Sequence, residues 1–197
     1  MRFSRNLVMV FSFCSLFLWP FRANAGEATV QLSGTIDEFV GILVNTPVAE
    51  LRAKGLPDKA LSLIYSRFDF AEMTKRSLGR HWNSLEPSEQ REFVDAFTQR
   101  LLIAYGRTVR ATGDEKVQYE REVLDGEYAS VDTKVISKDG GEIAIDYRLH
   151  GFDGQWKVYD MVIENVSIVN NYRAQFDRVI AKSSVKELLQ KIKGHDS

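Results

Sequence analysis

Two carboxylates occupy positions where an acid's chemistry is most easily changed. Asp69 stands between Phe68 and Phe70, and Asp160 lies inside the apolar run Trp156–Ile163. A carboxyl group among apolar side chains loses hydration and its pKa rises, which suits it to proton transfer near neutrality. A small cone-shaped isomerase, or a hydrolase, would use Asp160 in this way with a tyrosine of the same cavity. The alternative use is structural: Asp160 or Asp69 pairs with Arg173 or Arg80 and fixes helices against a sheet. No second acid is placed to complete a catalytic pair. The three histidines, His81, His150 and His195, are scattered, without the paired spacing of a metal site. GxSxG, HExxH, a glycine-rich phosphate loop and a Walker lysine are all absent. The expectation is a protein that is not an enzyme, with no catalytic residue, no metal and no cofactor.

The chain opens with Arg2 and Arg5, then an apolar run from Leu7 to Phe21, then Ala23-Asn24-Ala25. That is the layout of a secretory leader, with cleavage expected between Ala25 and Gly26. The run is shorter than the ~20 residues a bilayer span needs, and Pro20 interrupts it. The one cysteine, Cys14, leaves with this segment, so thiol and disulfide chemistry are excluded from the exported chain. Residues 26–197 are then expected to form a single domain, long enough to bury roughly 70% of its unfolded surface. Of 26 basic residues, Arg2, Arg5 and Arg22 lie in the leader; the remaining 23 face 27 acidic ones, a net charge of −4. No basic tract points to nucleic acid.

The elements that must position these groups change period halfway along the chain. Ile36, Phe39, Val40 and Leu43 recur at helical spacing, as do Leu61, Ile64, Tyr65 and Phe68. Thr46-Pro47 suits a helix start and Lys54-Gly55 a helix end. A short segment carries Phe70, Met73 and Leu78. A long helix follows Ser84–Pro87, striped by Phe93, Phe97, Leu101, Tyr105 and Val109 and ended at Gly113.

Alternation then takes over, through Val117, Tyr119 and Val123, then Ala129 to Val135, then Ile143 to Leu149, and lastly Trp156–Glu164. Asp125-Gly126, Asp139-Gly140-Gly141 and Asp153-Gly154 supply the turns. Helices over Val169–Ala181 and Val185–Ile192 close the chain. This predicts an α+β fold: N-terminal helices on a curved four-stranded antiparallel sheet, with C-terminal helices, enclosing an apolar cavity. The fourth strand is the informative one. Strict alternation puts Trp156, Val158 and Val162 on one face and Tyr159, Met161 and Ile163 on the other. Both faces are apolar, so the strand lies either in a large core or beside a cavity.

Three segments, taken together, resemble the MlaC or toluene-tolerance family. They are FDFAEMTKRSLGRHW at Phe68–Trp82, EPSEQREFVDAFTQRLLIAYG at Glu86–Gly106 and WKVYDMVIENVSIVNNYRAQF at Trp156–Phe176. One departure is Asn165, where the family usually has glycine; asparagine tolerates the same left-handed backbone. The resemblance implies a soluble periplasmic phospholipid carrier that maintains outer-membrane lipid asymmetry. It implies two partners besides the lipid: an outer-membrane lipoprotein complex, and an inner-membrane ABC transporter complex with its periplasmic lipid-binding subunit. A hopanoid-associated branch of the same family is a second possibility. Faces and motif positions together nominate as lipid-binding Phe70, Met73, Leu78, Phe97, Leu101, Tyr105, Val131, Ile145, Tyr147, Trp156, Val158, Val162 and Tyr172. Met73 and Met161 would supply adaptable lining.

Overall fold

The computed structural model describes residues 26–106 and 115–194. The leader with Cys14, the helix positions Val109 and Gly113, and His195 lie outside the described residues.

The first helix, α1 (Glu27–Val44), buries Ala28, Leu32 and Leu43. Its stripe therefore starts two turns before Ile36. Gly26 caps it without a side chain. The missing acceptor comes from across the fold: Glu122 Oε2 accepts the Thr29 N–H at 2.7 Å and the Thr29 hydroxyl at 2.5 Å. A carboxylate there also opposes the helix dipole.

Helix α2 (Val48–Lys54) follows Pro47 and ends at Gly55, whose φ of 79° is the left-handed conformation glycine adopts without strain. Helix α3 (Asp58–Arg67) runs into α4 (Phe70–Leu78) through a two-residue link that docks on the sheet; there the Asp69 N–H donates to the Val158 carbonyl at 2.8 Å. A short 3-10 turn over Gly79–Ser84 leads to α5 (Pro87–Gly106).

Strands β1 (Lys116–Asp125), β2 (Tyr128–Ile136), β3 (Glu142–Phe152) and β4 (Gln155–Ile163) form the expected meander. The sheet has five strands, not four. The fifth, β5 (Val166–Ser167), pairs back on Val162 and Ile163. A positive φ at both Glu164 and Asn165 makes that two-residue reversal possible. The strand count fell short because two residues carry no periodicity.

Two bulges reset the faces of the sheet. Tyr119 pairs with Thr133 but Arg121 with Asp132, so Glu120 is the extra residue of β1. Likewise Leu149 pairs with Val158 but Arg148 with Asp160, which leaves Tyr159 as the extra residue of β4. A bulge switches the side on which later side chains emerge. Trp156 and Val158 therefore share the pocket-side face with Met161 and Ile163, while Val162 and Asp160 point the other way. Strict alternation through β4 is corrected accordingly. The same switch in β1 turns Val123 outward, where it is 44% exposed, and turns Glu122 inward toward α1.

Helix α6 (Ile168–Lys182) and helix α7 (Val185–Lys193) complete the layer. One cluster joins α4, α5, α6 and α7 through Leu78, Phe93, Phe97, Tyr172, Phe176 and Leu188. A second joins α1 to the sheet through Ala28, Leu32, Val131, Leu149 and Val158. Burying each large side chain contributes about 1.5–3 kcal/mol, so these clusters carry the fold.

Candidate functional site

An apolar pocket of about 300 Å³ lies between these two clusters, under α1, α3, α4 and α5 and over the sheet. Helix α1 contributes one face: Leu32, Ile36, Phe39, Val40 and Leu43. From α3 come Leu63 and Ile64, and from α5 Leu101, Leu102 and Tyr105. The floor is Val117, Val135, Ile145, Tyr147 and Met161, inward residues of four strands. The two helix groups each pack on their own part of the sheet, and Met161 touches both clusters. The pocket is the space left between these two groups.

Of the residues nominated from sequence, Phe70, Met73, Leu101, Tyr105, Ile145 and Tyr147 line this pocket. Leu78, Phe97 and Tyr172 belong to the packed α4–α7 cluster, where Phe97 meets Tyr172 edge-on at 4.8 Å. Val131 and Val158 are fully buried against α1, and Trp156 packs beside them. Val162 lies on the opposite face because of the β4 bulge, paired with Ser167. The α1 stripe was visible as an amphipathic face but was not nominated. Leu56, Val117 and Val135 were missed as well; no local pattern distinguishes a helix that faces a gap from one that faces a core.

Burial sets the direction in which the titratable groups in and beside the pocket shift. Burial pushes the Tyr147 hydroxyl up to about 12. Burial also raises Tyr119, followed by the negative field of Asp37, and the Tyr119 hydroxyl is buried with no hydrogen-bond partner. Tyr105 is raised chiefly by burial. Arg67 moves the other way, its pKa lowered by burial, because an apolar setting disfavours charge.

Asp160 and Asp69 do not serve this pocket. Asp160 is 2% exposed and accepts the Ser167 hydroxyl at 2.6 Å, the Val169 N–H at 3.0 Å and Arg148 Nη1 at 3.0 Å. Its ionic partner is Arg148, not Arg173 or Arg80; Arg173 donates instead to the Arg76 carbonyl at 2.7 Å. Asp69 caps α4 by accepting the Glu72 N–H at 2.8 Å, and its other oxygen lies 3.0 Å from His150 Nε2. Both acids do capping work at helix starts, where charge-assisted bonds are strong. Among the described residues no cluster of histidines and carboxylates has metal-site geometry, and no helix is long and apolar enough to cross a membrane.

Helices packed on a five-stranded antiparallel sheet, with an apolar pocket between α1, α3, α4, α5 and the sheet, define an α+β protein with a hydrophobic candidate site. The chain belongs to the MlaC family: the family model described as MlaC protein matches residues 35–194. The toluene tolerance protein ttg2D of Pseudomonas putida is 26% identical over 91 residues, 46% of this chain and 42% of that protein. The intermembrane phospholipid transport system binding protein MlaC of Haemophilus influenzae is 23% identical over 120 residues, 58% of this chain and 56% of that protein. The matched stretches thus span about half the length of these curated relatives. A phospholipid-binding protein from Ralstonia solanacearum, solved in complex with a phospholipid, superposes with a TM-score of 0.74 at 27% identity, covering 86% of this chain and 96% of that one.

Proposed function

We propose that this protein is a soluble periplasmic phospholipid carrier and not an enzyme. In this reading residues 1–25 are a leader removed on export, and residues 26–197 work as one lipid-binding domain. The carrier takes lipid between an outer-membrane lipoprotein complex and an inner-membrane ABC transporter with its periplasmic lipid-binding subunit, and so maintains outer-membrane lipid asymmetry. The observation that carries the reading is an apolar pocket between helix layer and sheet in a chain of the MlaC family. The phospholipid held by the Ralstonia relative supports it.

The energetics suit a shuttle. At ~0.8 kcal/mol per methylene, two chains of ~15 methylenes represent roughly 24 kcal/mol of gross desolvation. Free lipid therefore does not cross water usefully, and a pocket recovering that whole gain would never release it. Helix α2 buries no side chain, so it is the part of the helical layer that resists displacement least as lipid enters. Apolar walls discriminate chain length weakly, so broad acyl specificity is expected. Without a nucleotide motif the chain takes its direction from an energised partner.

The test is purification from periplasm, organic extraction and mass spectrometry. Stoichiometric phospholipid is the expected result. A protein that carries none and takes none up from vesicles ends the proposal, and a hopanoid in its place assigns the chain to the hopanoid-associated branch.

A further inference from the structure

Arg67 and Glu115 are the charged side chains that line the pocket among the described residues. Arg67 is held with unusual firmness. Its Nε donates to Thr35 Oγ1 at 2.9 Å, and its Nη1 donates to Gln31 Oε1 at 3.1 Å and to the Trp156 carbonyl at 2.6 Å. Gln31 Oε1 also accepts the Trp156 N–H at 2.9 Å, so α1, α3 and β4 meet at this one guanidinium. Every one of these acceptors is neutral. No carboxylate of the described residues pairs with Arg67, whereas Arg76, Arg121 and Arg148 each have one.

The three bonds satisfy donors but leave the charge uncompensated. A guanidinium has five N–H donors, and the two on Nη2 are not used by these contacts. A half-buried cation with neutral neighbours is unfavourable in itself, and burial lowers its pKa with no opposing acid. A neutral strut between α1 and β4 would need no charge. An anion delivered with a ligand would find a planar, pre-oriented fork beside the apolar walls that take its chains. Thr35, which accepts from Arg67, and Leu43 both line the pocket from α1 and lie about 12 Å apart along its axis.

We propose that Arg67 is an anion subsite of the pocket: it takes an anionic oxygen group carried on acyl chains, either the phosphodiester of a phospholipid or the carboxylate of a fatty acid. The assignment rests on the lipid-carrier reading. It predicts that the protein selects amphiphiles by charge at the head while remaining permissive of the tail.

The experiment loads the full exported chain from vesicles doped with palmitoyl-oleoyl phosphatidylethanolamine, with the matching diacylglycerol, or with oleate, and quantifies extracted lipid by mass spectrometry. Wild type should take the phosphodiester lipid at least tenfold over diacylglycerol. Arg67→Gln keeps a donor toward the same acceptors and removes the charge; it should bring both lipids to the diacylglycerol level. Arg67→Lys keeps the charge and should retain most of the preference, which also covers the case in which the glutamine variant folds poorly. Loss confined to the phosphatidylethanolamine arm assigns the phosphodiester, and loss confined to the oleate arm assigns the carboxylate. Equal loss in all three arms, or no loss, overturns the subsite while leaving the carrier intact. Wild type that loads none of the three lipids overturns both.

Discussion

Asp160 accepts the Ser167 hydroxyl at 2.6 Å, which ties the end of β4 to the first turn of α6 on the face of the sheet turned away from the pocket. The same carboxylate holds the Val169 N–H and Arg148. Replacing it strands a buried N–H and a hydroxyl while leaving Arg148 half in water. Asp160→Ala should lower unfolding stability by about 2–4 kcal/mol, read from denaturant midpoints at unchanged slope. Lipid loading of the folded fraction should be normal. Full stability with lost loading would instead return Asp160 to the site.

Tyr147 gives the fold an alkaline limit. Its hydroxyl is held at about 12 in the folded protein against an ordinary 10.0, so the neutral form is the one the fold favours. The stabilisation is complete below pH 10 and is lost as pH climbs toward 12, an effect of about 3 kcal/mol. Tyr119 shifts in the same direction. Tyr147→Phe should flatten the stability curve in that window. Tyr119→Phe removes a buried hydroxyl that has no partner and should be neutral or stabilising by about 1 kcal/mol at pH 7.

Glu122 acts as a remote cap for α1. Glu122→Ala leaves the Thr29 N–H and hydroxyl without their acceptor and should cost about 1–2 kcal/mol. Amide exchange should speed up in the first turn of α1 before it does in β1. Uniform protection across both elements would show that the cap contributes nothing local.

A bulky residue on the pocket floor should exclude lipid without unfolding the chain. Ile145→Trp projects into the space between the two clusters, and co-purifying lipid should fall at least fivefold with a melting temperature within a few degrees of wild type. The control is Val162→Leu on the reverse face, where loading should not change.

The β4–β5 reversal is tested at Asn165, whose φ is 65°. Asn165→Gly should be neutral or stabilise slightly. Asn165→Ala should cost about 1 kcal/mol, since a Cβ without a compensating polar group disfavours that conformation. Thermal melts of the two variants separate these outcomes.

Much of the architecture is local information. The helical stripe through Phe93, Phe97 and Leu101 and the alternation from Ala129 to Val135 each follow from which faces must leave water, and turn chemistry at Asp125-Gly126 and Asp153-Gly154 separates the strands. The family follows from three segments in order. The apolar character of both sides of Trp156–Ile163 was equally legible, yet its cause was not.

That cause is an extra residue, Tyr159, in the register between β3 and β4. Period-2 reading assumes an unbroken pleat, and a bulge depends on the partner strand, which no local window contains. The same limit applies to Glu122, whose inward turn and contact with Thr29 span 93 residues. It applies to Arg67 in the last turn of α3, whose partners Thr35 and Trp156 are 32 and 89 residues away in sequence. Sequence alone determined which surfaces had to be buried, because transfer out of water is set by side-chain chemistry. Only tertiary structure decided which of them meet each other and which face a gap, because that depends on how two helix groups sharing one sheet fit together.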